Sequence, residues 1–317
     1  MILDMNKIND NENNAEETGM TTRTGFIAIV GRPNVGKSTL LNALLGEKVA
    51  IVSKKPQTTR TRITGILTKG ENQFVFLDTP GMHTPKTKLG KVMVKSITGA
   101  IADVDAAILV ADASFGPGDI EKTLLERLHA AELPVLLVLN KTDIADKAAI
   151  AKTIQSYAQL CDFASVIPIS AMKNDGVDIV LDEASKLLSE GDWIFDEDAL
   201  TDMPEKQIAS EIVREKLLRL LDDEIPHGTA VVIEDFKEDG KLLRIRAEIF
   251  CERESHKRII IGNHGEMIKK ISTFAREDME AFFGTKVFLD LWVKVKENWR
   301  DSDFIINSFG FRPDDNK

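Results

Sequence analysis

From residue 25 onward, short apolar runs alternate with stretches of helical periodicity. The runs at 26–30, 74–77, 106–110, 135–139 and 165–169 are apolar throughout, as strands covered on both faces should be. Residues 37–45, 120–130 and 145–158 instead space their apolar positions three and four apart, which predicts helices. Such alternation predicts βαβ units around a mainly parallel, six-stranded sheet over 25–190. One pair departs from it. Segments 62–68 and 72–77 are joined by Lys69-Gly70-Glu71, short enough for a hairpin, so one strand is expected to be antiparallel.

The pattern changes after residue 190. Residues 191–204 hold Asp192, Asp196, Glu197, Asp198 and Asp202 with no basic residue, which reads as an exposed acidic linker. Residues 205–221 then carry an apolar stripe of Ile208, Ile212, Leu217, Leu218 and Leu221. Alternating strands are expected at 229–234 and 242–250, turning at Glu238-Asp239-Gly240. A short helix, a glycine-flanked turn, a helix over 266–283 and a strand over 287–295 complete an α+β module spanning 205–317. The first 24 residues are acidic and aperiodic, and read as a disordered tail.

Composition narrows the classes. A chain of 317 residues, 43% hydrophobic, can fill two cores. No stretch has the ~18 apolar residues of a membrane span, and the acidic start is unlike a targeting peptide, so a cytosolic protein is expected. Cys161 and Cys251 form no Cys-x-x-Cys pair, and the five histidines show no ligand spacing. Net charge is 41 − 51 = −10, which argues against indiscriminate nucleic-acid binding. Residues 241–300, however, hold 13 Lys and Arg against 9 Asp and Glu, so a confined basic patch belongs there.

Gly31-Arg32-Pro33-Asn34-Val35-Gly36-Lys37-Ser38, followed by Thr39, fits G-x-x-x-x-G-K-[ST] between a strand and a helix. Backbone N–H groups there cradle phosphates, Lys37 neutralises them and Ser38 offers a hydroxyl to Mg²⁺. Asp78-Thr79-Pro80-Gly81, with Met82 next, ends another strand; the Asp78 carboxylate can hold the Mg²⁺ shell and the Gly81 N–H can sense a γ-phosphate. Asn140-Lys141-Thr142-Asp143 selects the base, because Asp143 can accept hydrogen bonds from guanine N1–H and the 2-amino group that adenine lacks. Ser170-Ala171 can bring a backbone N–H to guanine O6. All four motifs sit at strand carboxyl ends, where doubly wound sheets bind ligands. The combination indicates a P-loop GTPase. Between 47 and 62, Gln57-Thr58-Thr59-Arg60 supplies the γ-phosphate-dependent Mg²⁺ ligand, with Thr59 preferred to Thr58.

In the second module, Gly262-Asn263-His264-Gly265 lies between two helices, as the G-x-x-G loop of a type II KH domain does when it clamps single-stranded RNA. Lys257 and Arg258 precede the loop, and Lys269 and Lys270 follow it. Lys286, Lys294, Lys296 and Arg300 form a second basic run, with Trp292 and Trp299 read as packing residues.

Residues 31–39, 57–60, 78–81 and 140–143 resemble the translation-factor-related GTPases of the Era, Der and MnmE group. Residues 202–218, 224–227, 259–271 and 292–300 narrow the resemblance to the Era family, over about 24–315. It implies GTP and GDP with Mg²⁺, and catalytic roles for Lys37, Asn34, Thr59 and Gly81. In relatives with this Pro-Asn pair the asparagine helps hold K⁺, so K⁺ stimulation is expected through Asn34. Met82 stands where Ras-type GTPases carry a water-orienting glutamine, which implies slow unaided hydrolysis; His83 is an alternative base. The implied partners are the 3′ end of 16S ribosomal RNA and the 30S subunit, with peripheral inner-membrane association, no DNA and a monomeric state. Two rivals are a signalling or membrane-associated GTPase whose KH-like domain docks protein, and a static RNA-binding protein.

Overall fold

The continuously apolar runs become strands of one sheet: β1 (Arg23–Val30), β3 (Asn72–Asp78), β4 (Ala106–Asp112), β5 (Val135–Asn140) and β6 (Ser165–Pro168), with β2 (Ile63–Lys69) as the antiparallel partner of β3. The computed structural model describes residues 21–53, 55 and 57–311, so most of the expected acidic tail lies outside the described residues. What is described of it belongs to the fold: β1 already begins at Arg23. The strand path is β2-β3-β1-β4-β5-β6. A further strand, β7 (Ser189–Glu190), pairs antiparallel with β1. At two residues it is too short to leave any periodicity in the sequence.

Each strand presents alternate residues to opposite layers. Ile27 and Ile29 pack with α1 (Lys37–Leu45) and α5 (Val177–Ser185). Ala28 and Val30 pack with α2 (Lys88–Ala102), α3 (Asp119–Ala130) and α4 (Lys147–Ala158). This double burial explains why the runs show no polar alternation.

The second sheet has the order β10-β9-β8, from β8 (Ala230–Asp239), β9 (Leu242–Cys251) and β10 (Lys286–Val295). β8 is antiparallel to β9, and β10 is parallel to it. Helices α6 (Glu205–Leu220), α7 (Glu254–Ile261) and α8 (Glu266–Phe283) complete an α-β-β-α-α-β unit. β8 runs on to Asp239, so the hairpin turns at Gly240 and Lys241, later than expected. Among the described residues no helix is long and apolar enough to cross a membrane.

The structure adds to two expectations and corrects a third. Residues 191–204 are largely exposed, as expected, and they run as a strap along the β2–β3 edge. The Gln73 side chain accepts the Ile194 and Phe195 N–H groups, Ile66 N–H donates to Leu200 O at 2.9 Å, and Thr201 Oγ1 donates to Thr64 O at 2.6 Å. β2 is the last strand on its side, and the strap satisfies backbone groups it would otherwise expose, while the acidic side chains face water. Second, α6 buries more than its apolar stripe: Glu211, Arg214, Glu215 and Lys216 are all buried, because α6 is covered by the first domain as well as by its own sheet. Third, Trp299 is fully buried and donates Nε1–H to Gly228 O, but Trp292 is 57% exposed on the open sheet face and is no packing residue. Trp299, with α9 (Asp303–Ser308) behind it, packs against Leu89 and Met93 of α2, which the sequence did not foretell.

Candidate functional site

β1 sits between β3 and β4, so the strand order reverses at its carboxyl end and opens a crevice there. Gly31 to Ser38 curl into this crevice and start α1. Gly36 has φ +101°, and a Cβ on it would lie 2.2 Å from Asn140 Nδ2. Only glycine lets the loop approach the end of β5 so closely. Lys37 is buried, and its ammonium donates to Arg32 O at 3.0 Å, closing the loop on itself. Burial holds the Lys37 pKa below its ordinary value, against the upward pull of Asp78. An arriving polyphosphate would supply the anion this ammonium lacks.

Ser38, Thr59 and Asp78 meet at one point. Ser38 Oγ donates to Asp78 Oδ2 at 2.6 Å and lies 2.9 Å from Thr59 Oγ1, which is 3.3 Å from the same carboxylate oxygen. Asp78 is fully buried and its Oδ1 has no partner among the described residues. Burial raises its pKa despite Lys37 and the two hydroxyls. A buried carboxylate with an orphaned oxygen and two hydroxyls is an oxygen donor set short of a hard cation, and ligands of this kind suit Mg²⁺; the Lys37 ammonium beside them can only meet an anion. Thr58 also lines the cleft, but its hydroxyl is engaged elsewhere, donating to Lys55 O at 2.7 Å.

The remaining residues of the phosphate and switch motifs divide by side-chain placement. Asn34 and Thr39 line the cleft with Pro33, Lys37, Ser38 and Gly81, facing Gln57 to Thr59 across it. Thr79 donates to Ile29 O, and Val35 and Met82 are in the core, so these three can offer a nucleotide only backbone. Pro80 is buried beside them. Arg32 points to Glu121, at 3.4 Å. His83 Nδ1 is 2.9 Å from Gly81 O and its Nε2 is 3.4 Å from Gln57 Nε2, so the tautomer that satisfies both is Nδ1–H with Nε2 accepting.

Asn140 is a tie rather than a bystander. Its Nδ2 donates to Val35 O at 2.9 Å, while its Oδ1 accepts from Lys141 N and Ala171 N. It thereby fastens the phosphate loop to both base loops. Both backbone N–H groups of the Ser170-Ala171 pair, from which a contact to guanine O6 was expected, are engaged within the protein: Ala171 N–H by Asn140 Oδ1 and Ser170 N–H by Asp175 O. Ser170 Oγ donates to Asp143 Oδ1 at 2.7 Å and orients that exposed carboxylate. Lys141 pairs with Asp112 at 2.9 Å, and Thr142 N–H donates to Ile169 O.

In the second domain Arg258, Gly262, Asn263 and Lys270 line one groove together with Ile259, Ile261, Glu266 and Met267. Gly262 has φ +75° and a Cβ there would meet Met267 N at 2.8 Å, so the glycine is needed by the loop itself. Gly265 borders open space, beside exposed His264. Lys257 and Lys269 lie outside the groove lining. The apolar floor was missed, although a signal existed: of three consecutive helical isoleucines, 259 to 261, only Ile260 is in the core, and Ile259 is 48% exposed. The second basic run is largely neutralised, since Lys286 pairs with Glu280, Lys294 with Glu248 and Arg300 with Glu252.

Comparison with known proteins agrees with this layout. Residues 26–141 match the 50S ribosome-binding GTPase family and residues 224–300 the KH domain family. The chain is 49% identical to the GTPase Era of Ruminiclostridium cellulolyticum over 299 residues, covering 94% of this chain and 100% of the relative. It is 50% identical to the GTPase Era of Clostridium kluyveri over 293 residues, covering 92% and 99%. An Aquifex aeolicus Era variant bound to GDP and AlF4− superposes with a TM-score of 0.88 at 38% identity, covering 92% of this chain and 100% of that one. An Era in complex with MgGDPNP and nucleotides 1506–1542 of 16S ribosomal RNA gives the same TM-score and identity, covering 92% and 99%. A P-loop GTPase domain joined to a KH domain, matched along nearly its whole length, makes this chain a member of the Era family of GTPases.

Proposed function

We propose that this GTPase hydrolyses GTP with Mg²⁺, binds the 3′ end of 16S ribosomal RNA through its KH domain, and acts in maturation of the 30S subunit. The work is divided between a GTPase domain over 25–190 and a KH domain over 205–317. The observation that carries this reading is the meeting of Ser38, Thr59 and the orphaned Asp78 carboxylate beside Lys37, in a chain that also presents a G-x-x-G groove. The solved Era that holds both MgGDPNP and a 16S ribosomal RNA fragment supports it.

In this reading Lys37 neutralises the phosphates and the Gly81 N–H faces the γ-phosphate. Ser38 and Thr59 would ligate Mg²⁺, with Asp78 acting on its water shell; the ion supplies charge neutralisation of the phosphates. Asn34, on the cleft wall, seats K⁺. Asp143 reads guanine, with Ser170 fixing its orientation. Met82 is buried and a thioether directs no water, so unaided hydrolysis is slow. His83 Nε2 is engaged by Gln57 and serves as a base only if that contact opens. The same reading makes the protein a cytoplasmic monomer without DNA affinity, with any membrane association peripheral; sedimentation and cell fractionation would check both.

The deciding experiment is filter binding of a 16S 3′-terminal RNA fragment with Mg²⁺ and either GDP or a non-hydrolysable GTP analogue. Retention that depends on the nucleotide is expected. Guanine-nucleotide binding without RNA retention would instead favour a signalling GTPase whose KH domain docks protein. Retention indifferent to nucleotide would leave a static RNA binder.

A further inference from the structure

Between α1 and β2, residues 48, 52, 55, 58 and 60 are each held by α6 of the KH domain or by the turn that follows it. Glu215 Oε1 accepts the Val52 N–H at 3.2 Å, and Glu215 Oε2 accepts the Lys48 ammonium at 2.7 Å. Arg219 donates to Val52 O, and Lys55 donates to Leu221 O just past the helix. Arg214 Nη2 donates to Thr58 O. Arg60 donates to Thr229 O at 2.6 Å and His227 O at 2.8 Å, in the turn between α6 and β8. Arg60 is 2% exposed and Arg214 1%, so these are interior bonds rather than surface contacts.

The residue between these last two anchors is Thr59. Its neighbours on both sides are fastened to the KH domain, while its own hydroxyl reaches Ser38 and Asp78 in the GTPase domain. Adjacent Cα atoms are only ~3.8 Å apart, so fixing positions 58 and 60 fixes the backbone at 59. We propose that Arg214 and Arg60 are positioning residues for Thr59, so that the KH helix α6 is part of the apparatus that sets metal affinity in the triphosphate state. This rests on reading Thr59 as the Mg²⁺ ligand. It goes further in assigning the ligand's placement to the other domain. Linkage then demands the reverse: a triphosphate and Mg²⁺ that hold Thr59 also hold α6 in its docked position.

Arg214 is itself held by Glu211, at 2.8 and 2.5 Å, and removing it alone would strand a buried carboxylate. The test therefore uses the double variant Glu211→Gln with Arg214→Met, and separately Arg60→Lys, which keeps the charge but loses the fork. The Mg²⁺ concentration needed to retain methylanthraniloyl-GMPPNP and methylanthraniloyl-GDP is titrated in the full-length protein. The double variant should need ~10-fold more Mg²⁺ for the triphosphate analogue, the equivalent of one lost charge-assisted bond, with no change for GDP. Arg60→Lys should shift the same way. Thr59→Ala separates the two layers of the argument. If it shows no triphosphate-specific loss, the reading of Thr59 as metal ligand fails. If it does, and both arginine variants match the parent, the positioning role is overturned. Equal weakening of both nucleotides with a lower melting midpoint would also overturn it, as the arginines would then merely hold the fold.

Discussion

If Asp143 reads the base, as proposed, the choice comes down to hydrogen-bond polarity. The carboxylate offers two acceptors, and Ser170 donates to Oδ1 to keep the group in one orientation. Asp143→Asn exchanges one acceptor for a donor, which opposes guanine and suits xanthine. GTP affinity should fall ~100-fold, a charge-assisted bond lost and a donor left unpaired. Competition between GTP and xanthosine triphosphate measures the switch, and undiminished GTP affinity would remove the argument for base recognition. Asn34 gives a second residue-scale expectation. If it seats K⁺ beside the phosphates, hydrolysis is faster in K⁺ than in equimolar Na⁺, and Asn34→Ala levels the two. Equal rates for the parent protein in both salts end that idea. The positions of the motifs were legible because each lies on a contiguous stretch beside a strand end. What the sequence hid was how they are tied together. Asn140 was read as part of a base loop, yet its side chain reaches Val35, 105 positions away, and also takes the Ala171 N–H.

At the scale of elements, α6 carries the consequence. Burial alone would push the Glu215 carboxyl up, but hydrogen bonds from Lys48 and Lys216 hold it below its ordinary 4.5. Asp278, on α8, is likewise raised by burial and held below 3.8 by Lys216 and Lys48. Because these folded-state values are depressed, the network stabilises fully above the ordinary ones and is lost as pH falls through the lower, folded ones. The domain interface should therefore loosen below pH ~4. Glu215→Gln removes the titrating group, so its melting midpoint should fall less between pH 6 and pH 3 than the parent's. Parallel slopes would show that this network does not couple to folding. Periodicity revealed the existence of α6 and its apolar stripe. It could not reveal the second buried face, since Arg214 meets Thr58 from 156 positions away and a charged residue on a helix reads as solvated. The strap over 191–204 was only partly legible for a related reason: its acidic side chains do face water, and what it adds is backbone hydrogen bonding, which leaves no mark on residue type.

Across the whole molecule, α8 connects the two functions. The G-x-x-G loop adjoins its first turn, and Asp278, twelve residues on, pairs with Lys48 of the GTPase domain at 2.7 Å. Helical rise makes that separation about 18 Å, more than the Debye length of ~8 Å at physiological salt, so a charge added at the loop should be screened from the domain contact at Lys48. The two glycines of the loop are not equivalent tests. A side chain at Gly262 collides with Met267, so Gly262→Asp would disturb the loop whatever binds there. Gly265 borders open space, and Asp tolerates its left-handed φ of +82° better than most residues. Gly265→Asp should therefore set a negative charge where RNA phosphates approach, lowering affinity for the 16S fragment at least ~10-fold, or ~1.4 kcal/mol. GTP affinity and basal hydrolysis should stay at parent values, while any stimulation of hydrolysis by RNA disappears. Both readings come from one preparation, with the melting midpoint as a check on folding. Should basal hydrolysis collapse with RNA absent and the midpoint unchanged, the loop would be acting on the GTPase site through the docked helices, and the separation of the two activities along α8 would be wrong.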